Sequence, residues 1–95
     1  MKAWVAAMGL NIAEGNSVKT TRYFQSLRNK TDRVLIKAEW IQHVIDAPEA
    51  EMTQSDGRIR IWGKIPEAGN RFLRVVLLQD RETVHNAFFD RRFKP

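Results

Sequence analysis

Residues 57–92 read GRIRIWGKIPEAGNRFLRVVLLQDRETVHNAFFDRR, and this stretch constrains the fold more than any other. It consists of three β-rich runs separated by two turn clusters, which is the signature of a β-meander. In the first run, residues 58–65, the side chains alternate. Ile59, Ile61 and Ile65 share one face, and Arg58, Arg60, Trp62 and Lys64 share the other. Successive side chains of a strand point to opposite faces, so this strand has one apolar side and one basic, aromatic side. Residues 71–78 are apolar on both parities except at Arg74, which predicts a central strand covered on both faces. Residues 83–89 predict the last strand, with Val84, Asn86 and Phe88 on one side and Thr83, His85, Ala87 and Phe89 on the other.

The remaining elements follow from breakers and periodicity. Asp56-Gly57 suits a hairpin turn with positive φ, and residues 49–54 form a short strand before it. The loop at residues 66–70 carries Pro66 and Gly69, and residues 79–82 make the next turn. Upstream, Ile36, Trp40, Ile41, Val44 and Ile45 form one face of a 3.6-residue period, which predicts a helix over residues 36–47. Pro48 stops it, because proline disfavours a helical residue before itself. A shorter stripe around Phe24 and Leu27, with Val18 or Tyr23 nearby, predicts a helix over residues 18–30, and residues 29–33 read as a loop. Trp40, Phe24, Phe72, Phe88 and Phe89 are assigned to the core. Two helices followed by hairpin-linked strands give an α+β domain over residues 17–95. Both helices pack on one face of a three- to four-stranded antiparallel sheet, and the other face stays open and polar. Residues 1–16 read as an N-terminal extension, either a short element on the domain's edge or a poorly ordered arm. Their apolar run is short and no clean small-x-small cleavage site follows it, which argues against a signal peptide.

Charge and composition narrow the chemistry. Sixteen Lys and Arg against eleven Asp and Glu leave a net charge of +5, which suits an anionic partner such as RNA or an acidic protein. The excess is spread along the chain: seven cations against four carboxylates before Glu49, and nine against seven from there on. The absence of cysteine excludes disulfides, thiolate nucleophiles and cysteine-ligated zinc. Two histidines, His43 and His85, are too few for a histidine metal cage, so no metal or other cofactor is expected. No apolar run reaches the roughly 18 residues a membrane helix needs, and the chain reads as cytoplasmic.

Several motifs carry a family resemblance from about Thr20 onward. They are Glu39-Trp40, Gly57-Arg58-x-Arg60-x-Trp62-Gly63, Ile65-Pro66-Glu67-x-Gly69, Leu73-Arg74-Val75-Val76 and Thr83-Val84-His85-Asn86-Ala87-Phe88-x-Asp90-Arg91-Arg92. In these the chain resembles a bacterial domain-of-unknown-function family related to the BrnT and RelE-type toxins of toxin–antitoxin systems. The resemblance implies a helix-then-sheet fold, a cognate antitoxin encoded next to it, and a metal-independent endoribonuclease activity. Two departures stand out. Relatives often carry a histidine early in the first helix, and this chain has none between Ser17 and Lys30. Relatives often place Thr-Ala-Tyr in the last strand, where this chain has Asn86-Ala87-Phe88.

Metal-free RNA cleavage needs a base, an acid and cations around the phosphorane. Imidazole titrates at about 6.5, which makes His85 the candidate acid or base. Arg74 and Asp90 complete the catalytic set. The plain alternatives are a strand histidine bonded to backbone, and an Arg74 paired with Asp90 or Glu51. Arg58, Arg60 and Arg91 are candidate phosphate ligands, because guanidinium forks grip phosphate oxygens in pairs. Trp62 offers a stacking surface for a base. Alternatively, Arg58 and Arg60 form a solvated strand face, and Asp90 and Arg91 a local ion pair. His43 reads as a helix-surface residue. Two non-enzymatic readings remain: a module that uses the same face to bind RNA or a protein, and a homo-oligomer built by pairing exposed sheet edges.

Overall fold

The computed structural model describes residues 18–27 and 35–95. The expected extension at residues 1–16 and the loop at residues 29–33 lie outside the described residues. The described chain is α+β, with two α-helices and a four-stranded antiparallel sheet. Helix α1 is Arg22–Leu27 and α2 is Ala38–Asp46. The strands are β1 (Ala50–Thr53), β2 (Ile59–Ile65), β3 (Arg71–Leu77) and β4 (Val84–Phe89), in sheet order β1-β2-β3-β4. Helical structure is not confined to the part ahead of the sheet, because a 3-10 turn, Pro66–Ala68, lies between β2 and β3.

The β1–β2 turn forms for the reason its residues suggest. Gly57 takes φ 92°, and the Asp56 carboxylate accepts the Arg58 amide at 3.0 Å. β1 is a short edge strand. Where it ends, the Glu49 side chain replaces it by accepting the Lys64 amide at 2.8 Å. Isoleucines 59, 61 and 65 of β2 and Leu73, Val75 and Leu77 of β3 form the buried core with Val84 and Ala87 of β4. Phe24 of α1, Ile36, and Ile41 and Val44 of α2 join the same cluster. Gly63 of β2 lies directly under α2: a Cβ there would come within 3.0 Å of a Val44 methyl.

Three expectations need correction. First, α1 begins at Arg22, because the residues before it are drawn into the sheet. Thr20 bridges Val84 in parallel, the Val84 amide donates to the Lys19 carbonyl at 2.7 Å, and the Thr21 amide donates to Val84 at 2.9 Å. The Thr21 hydroxyl then accepts the Phe24 amide at 3.1 Å and caps the helix. Second, β4 does not alternate without interruption. Val75 pairs Ala87 and Val76 pairs Asn86, but Leu77 pairs Val84, which makes His85 the extra residue of a β-bulge. Val84 therefore shares the core face with Ala87 instead of facing out with Asn86 and Phe88. Third, Phe72 and Phe88 are only half-buried and lie on the other face, while Phe89 and Trp40 are partly buried against the core.

Candidate functional site

Strand register builds the second face of the sheet row by row. Met52, Arg60, Val76 and Asn86 form one cross-strand row, and Ala50, Trp62, Arg74 and Phe88 form the next. A groove of about 650 Å³ crosses this face, and Arg58, Arg60, Arg74, His85 and Tyr23 all line it. Its floor includes Val76, Asn86 and Phe88. Four of the sequence-derived candidates, Arg58, Arg60, Arg74 and His85, thus meet in one place. The hairpin supplies the first two, the central strand the third and the β4 bulge the fourth.

Each guanidinium has its own setting. Arg58 is exposed and sits in a loose ion pair with Asp56 at 3.7 Å. Arg60 donates from Nε to the Gln54 side chain at 3.1 Å, which leaves its charge without a carboxylate in that bond. Arg74 differs. Its Nε and Nη2 donate to one oxygen of Asp90 at 3.0 and 2.7 Å. The guanidinium lies 5.5 Å from the Trp62 ring centroid and 4.9 Å from that of Phe88, in reach of cation–π attraction to both. Of the two carboxylates the sequence offers it, Arg74 takes Asp90, and Glu51 pairs instead with Arg81 at 2.6 Å.

His85 stands on the groove wall. Its Nδ1 lies 3.2 Å from the Thr21 hydroxyl, and its ring stacks on Tyr23 with centroids 4.8 Å apart. Burial lowers its pKa below the ordinary value, and the positive charge of Arg58 adds to the effect, partly offset by Asp56. The Thr21 oxygen already accepts the Phe24 amide, so its proton can be given to Nδ1. This pairing suits a neutral imidazole with its proton on Nε2.

The other candidates sit elsewhere. Trp62 is only 6% exposed, which corrects the expectation of an open indole. The Phe93 ring of the C-terminal segment stacks on it at 4.8 Å and 14°. Asp90 does not line the groove. Burial raises its pKa, but hydrogen bonds from Trp62, Arg74 and the Arg92 amide outweigh that and hold it below the usual carboxylate value. Asp90 and Arg91 line a separate cleft of about 300 Å³ with Phe72, Phe89 and Phe93.

Tyr23, Thr21 and Gln54 are site residues the sequence reading did not single out. Only the exposure of Tyr23 would have flagged it, and that depends on where α1 begins. Among the described residues, no group of three or more His, Asp or Glu is arranged to hold a metal ion. No described helix is long and apolar enough to cross a membrane. No family model, curated protein or solved structure matches the chain.

Proposed function

We propose that this protein is a binding module for RNA, holding the phosphates along the groove on the second face of its sheet. The observation that carries the reading is the convergence of Arg58, Arg60, Arg74 and His85 on that one groove. Arg58 and Arg60 reach the solvent-facing end and contribute charge and paired donors. Arg74, fixed by Asp90, contributes a positive potential from a set position. A neutral His85 adds an N–H donor. Binding is favoured over cleavage because the carboxylate proposed as a catalytic partner is engaged by Trp62 and Arg74. Its pKa is too low for it to exchange a proton near neutrality.

A second reading, the metal-independent endoribonuclease of a RelE/BrnT-like toxin–antitoxin pair, is favoured by the neutral imidazole on the groove wall. Its antitoxin would cover the basic face with acidic and apolar groups. One experiment separates the two. Purified protein is titrated with an RNA oligomer at several salt concentrations, and the same RNA is incubated with it in EDTA. The binding reading expects affinity that falls with salt at a slope of about −0.7 per phosphate contacted, and intact RNA. Cleavage that His85→Ala abolishes would establish the second reading. Affinity insensitive to salt would end the RNA-binding reading and point to a protein partner.

A further inference from the structure

We propose that Tyr23 forms a base-stacking subsite of the groove, so that the RNA it takes is single-stranded. The inference rests on the RNA-binding reading above and adds to it a requirement for an unpaired base. Tyr23 is 51% exposed, among the few large apolar side chains open to solvent in the described chain. Its ring is not adrift. One side stacks on His85 at 4.8 Å with the planes 23° apart, and His85 is held in turn by Thr21. Thr21 also caps α1, the helix that carries Tyr23, and Phe24 beside it is buried in the core. The ring is therefore stacked on one neighbour and carried by an anchored helix, while half of the residue remains uncovered.

An exposed aromatic held this firmly, beside cations, is what an unpaired base needs. Base–aromatic stacking is tolerant of sequence, because every base has a π face, and the adjoining phosphates require positive charge nearby. Arg58 meets that need: it lines the same groove and its charge is felt at His85. A base inside a duplex has both faces covered by its neighbours and cannot stack on Tyr23. Trp62, another candidate platform on this face, is closed by Phe93, and the Phe88 ring on the groove floor is half-buried beside the Arg74 guanidinium, so Tyr23 is the most exposed aromatic ring lining the groove.

The test compares three probes of equal length: a single-stranded RNA oligomer, an abasic phosphodiester strand and an RNA duplex. Each is titrated against the wild type, Tyr23→Phe, Tyr23→Ala and Tyr23→Leu, with thermal unfolding followed in parallel. Tyr23→Leu keeps an apolar side chain at the position, which guards against a folding defect in the alanine variant. The wild type and Tyr23→Phe are expected to prefer the intact single strand over the abasic strand by about 5- to 150-fold. Tyr23→Ala and Tyr23→Leu are expected to lose that preference while still binding phosphate. If both variants retain it, or if the wild type binds all three probes alike, the subsite is overturned while the phosphate-binding reading stands. If the wild type binds none of the three, both fall together.

Discussion

The indole Nε1–H of Trp62 donates to Asp90 Oδ2 at 3.0 Å, and the same oxygen accepts both Arg74 donors. The second oxygen accepts the Arg92 amide at 3.0 Å. One carboxylate, with its side chain 8% exposed, therefore ties β2, β3 and the segment after β4 together. Removing one partner of a buried pair costs far more than the pair contributes, because the other charge is stranded. Asp90→Ala is expected to destabilise the protein by about 3 kcal/mol, the lower end of the buried-pair range, since Arg74 keeps some solvent contact. Trp62→Phe, which removes one donor to the charged carboxylate and keeps a ring, is expected to cost about 1.5–3 kcal/mol. Urea denaturation measures both.

Stability should respond to pH in two windows. Asp80 is lowered from 3.8 to about 2 by its bonds to the Thr83 hydroxyl and the Thr83 and Glu82 amides, and Asp90 is lowered too. A carboxyl more acidic when folded contributes stability above its unfolded pKa and loses it as pH falls through the folded one. The thermal midpoint is therefore expected to drop between about pH 4 and pH 2. His85 is also lowered, so the unfolded chain takes up its proton first as pH falls. Stability should begin to decline as the pH passes below about 6.5 and level off beneath the folded value. A His85→Ala variant scanned across both windows should lose the upper step and keep the lower.

Gly63 is small because α2 sits on it. The Cβ of an alanine would lie 3.0 Å from Val44 Cγ2, and both positions are fully enclosed. Gly63→Ala is expected to cost about 1–3 kcal/mol by overpacking. In a Val44→Ala background the same substitution should cost at least about 1 kcal/mol less, as for residues in direct contact. Additive effects in the double-mutant cycle would show that the helix gives way instead.

Binding should separate the groove from the rest of the positive surface. Arg60→Ala is expected to weaken RNA binding and to reduce the salt slope by about 0.7, the share of one phosphate. Arg81→Ala is the control. Arg81 sits in the β3–β4 turn, paired with Glu51 and outside the groove, and its loss should leave the slope unchanged. Equal effects from both would mean that net charge alone draws the RNA.

What could be read from the sequence was local. The isoleucine alternation of β2, the Asp56-Gly57 turn and the helical stripe at Ile41 and Val44 each lie within one element, and each stands where the pattern puts it. Arg74 among apolar neighbours announced a partner, although only the three-dimensional arrangement selects Asp90 over Glu51. What escaped the reading depends on distant chain. The start of α1 is set by Val84, and the burial of Trp62 is set by Phe93, in the segment that follows β4. The bulge escaped because an alternating pattern has no mark for an inserted residue. Half of the groove's candidates, Arg58 and Arg60, were visible in residues 58–65 alone, and the other half needed the fold.

The bulge at His85 also marks a place where this chain could lose a residue without disturbing its core. Deleting His85 would restore an unbroken pleat, with Val84 still opposite Leu77 and Asn86 still opposite Val76. Ala87 and Phe89 would stay on the core side, and Asn86 and Phe88 on the groove side. What would vanish is the imidazole on which Tyr23 stacks. The inserted residue thus serves the groove and not the packing beneath it.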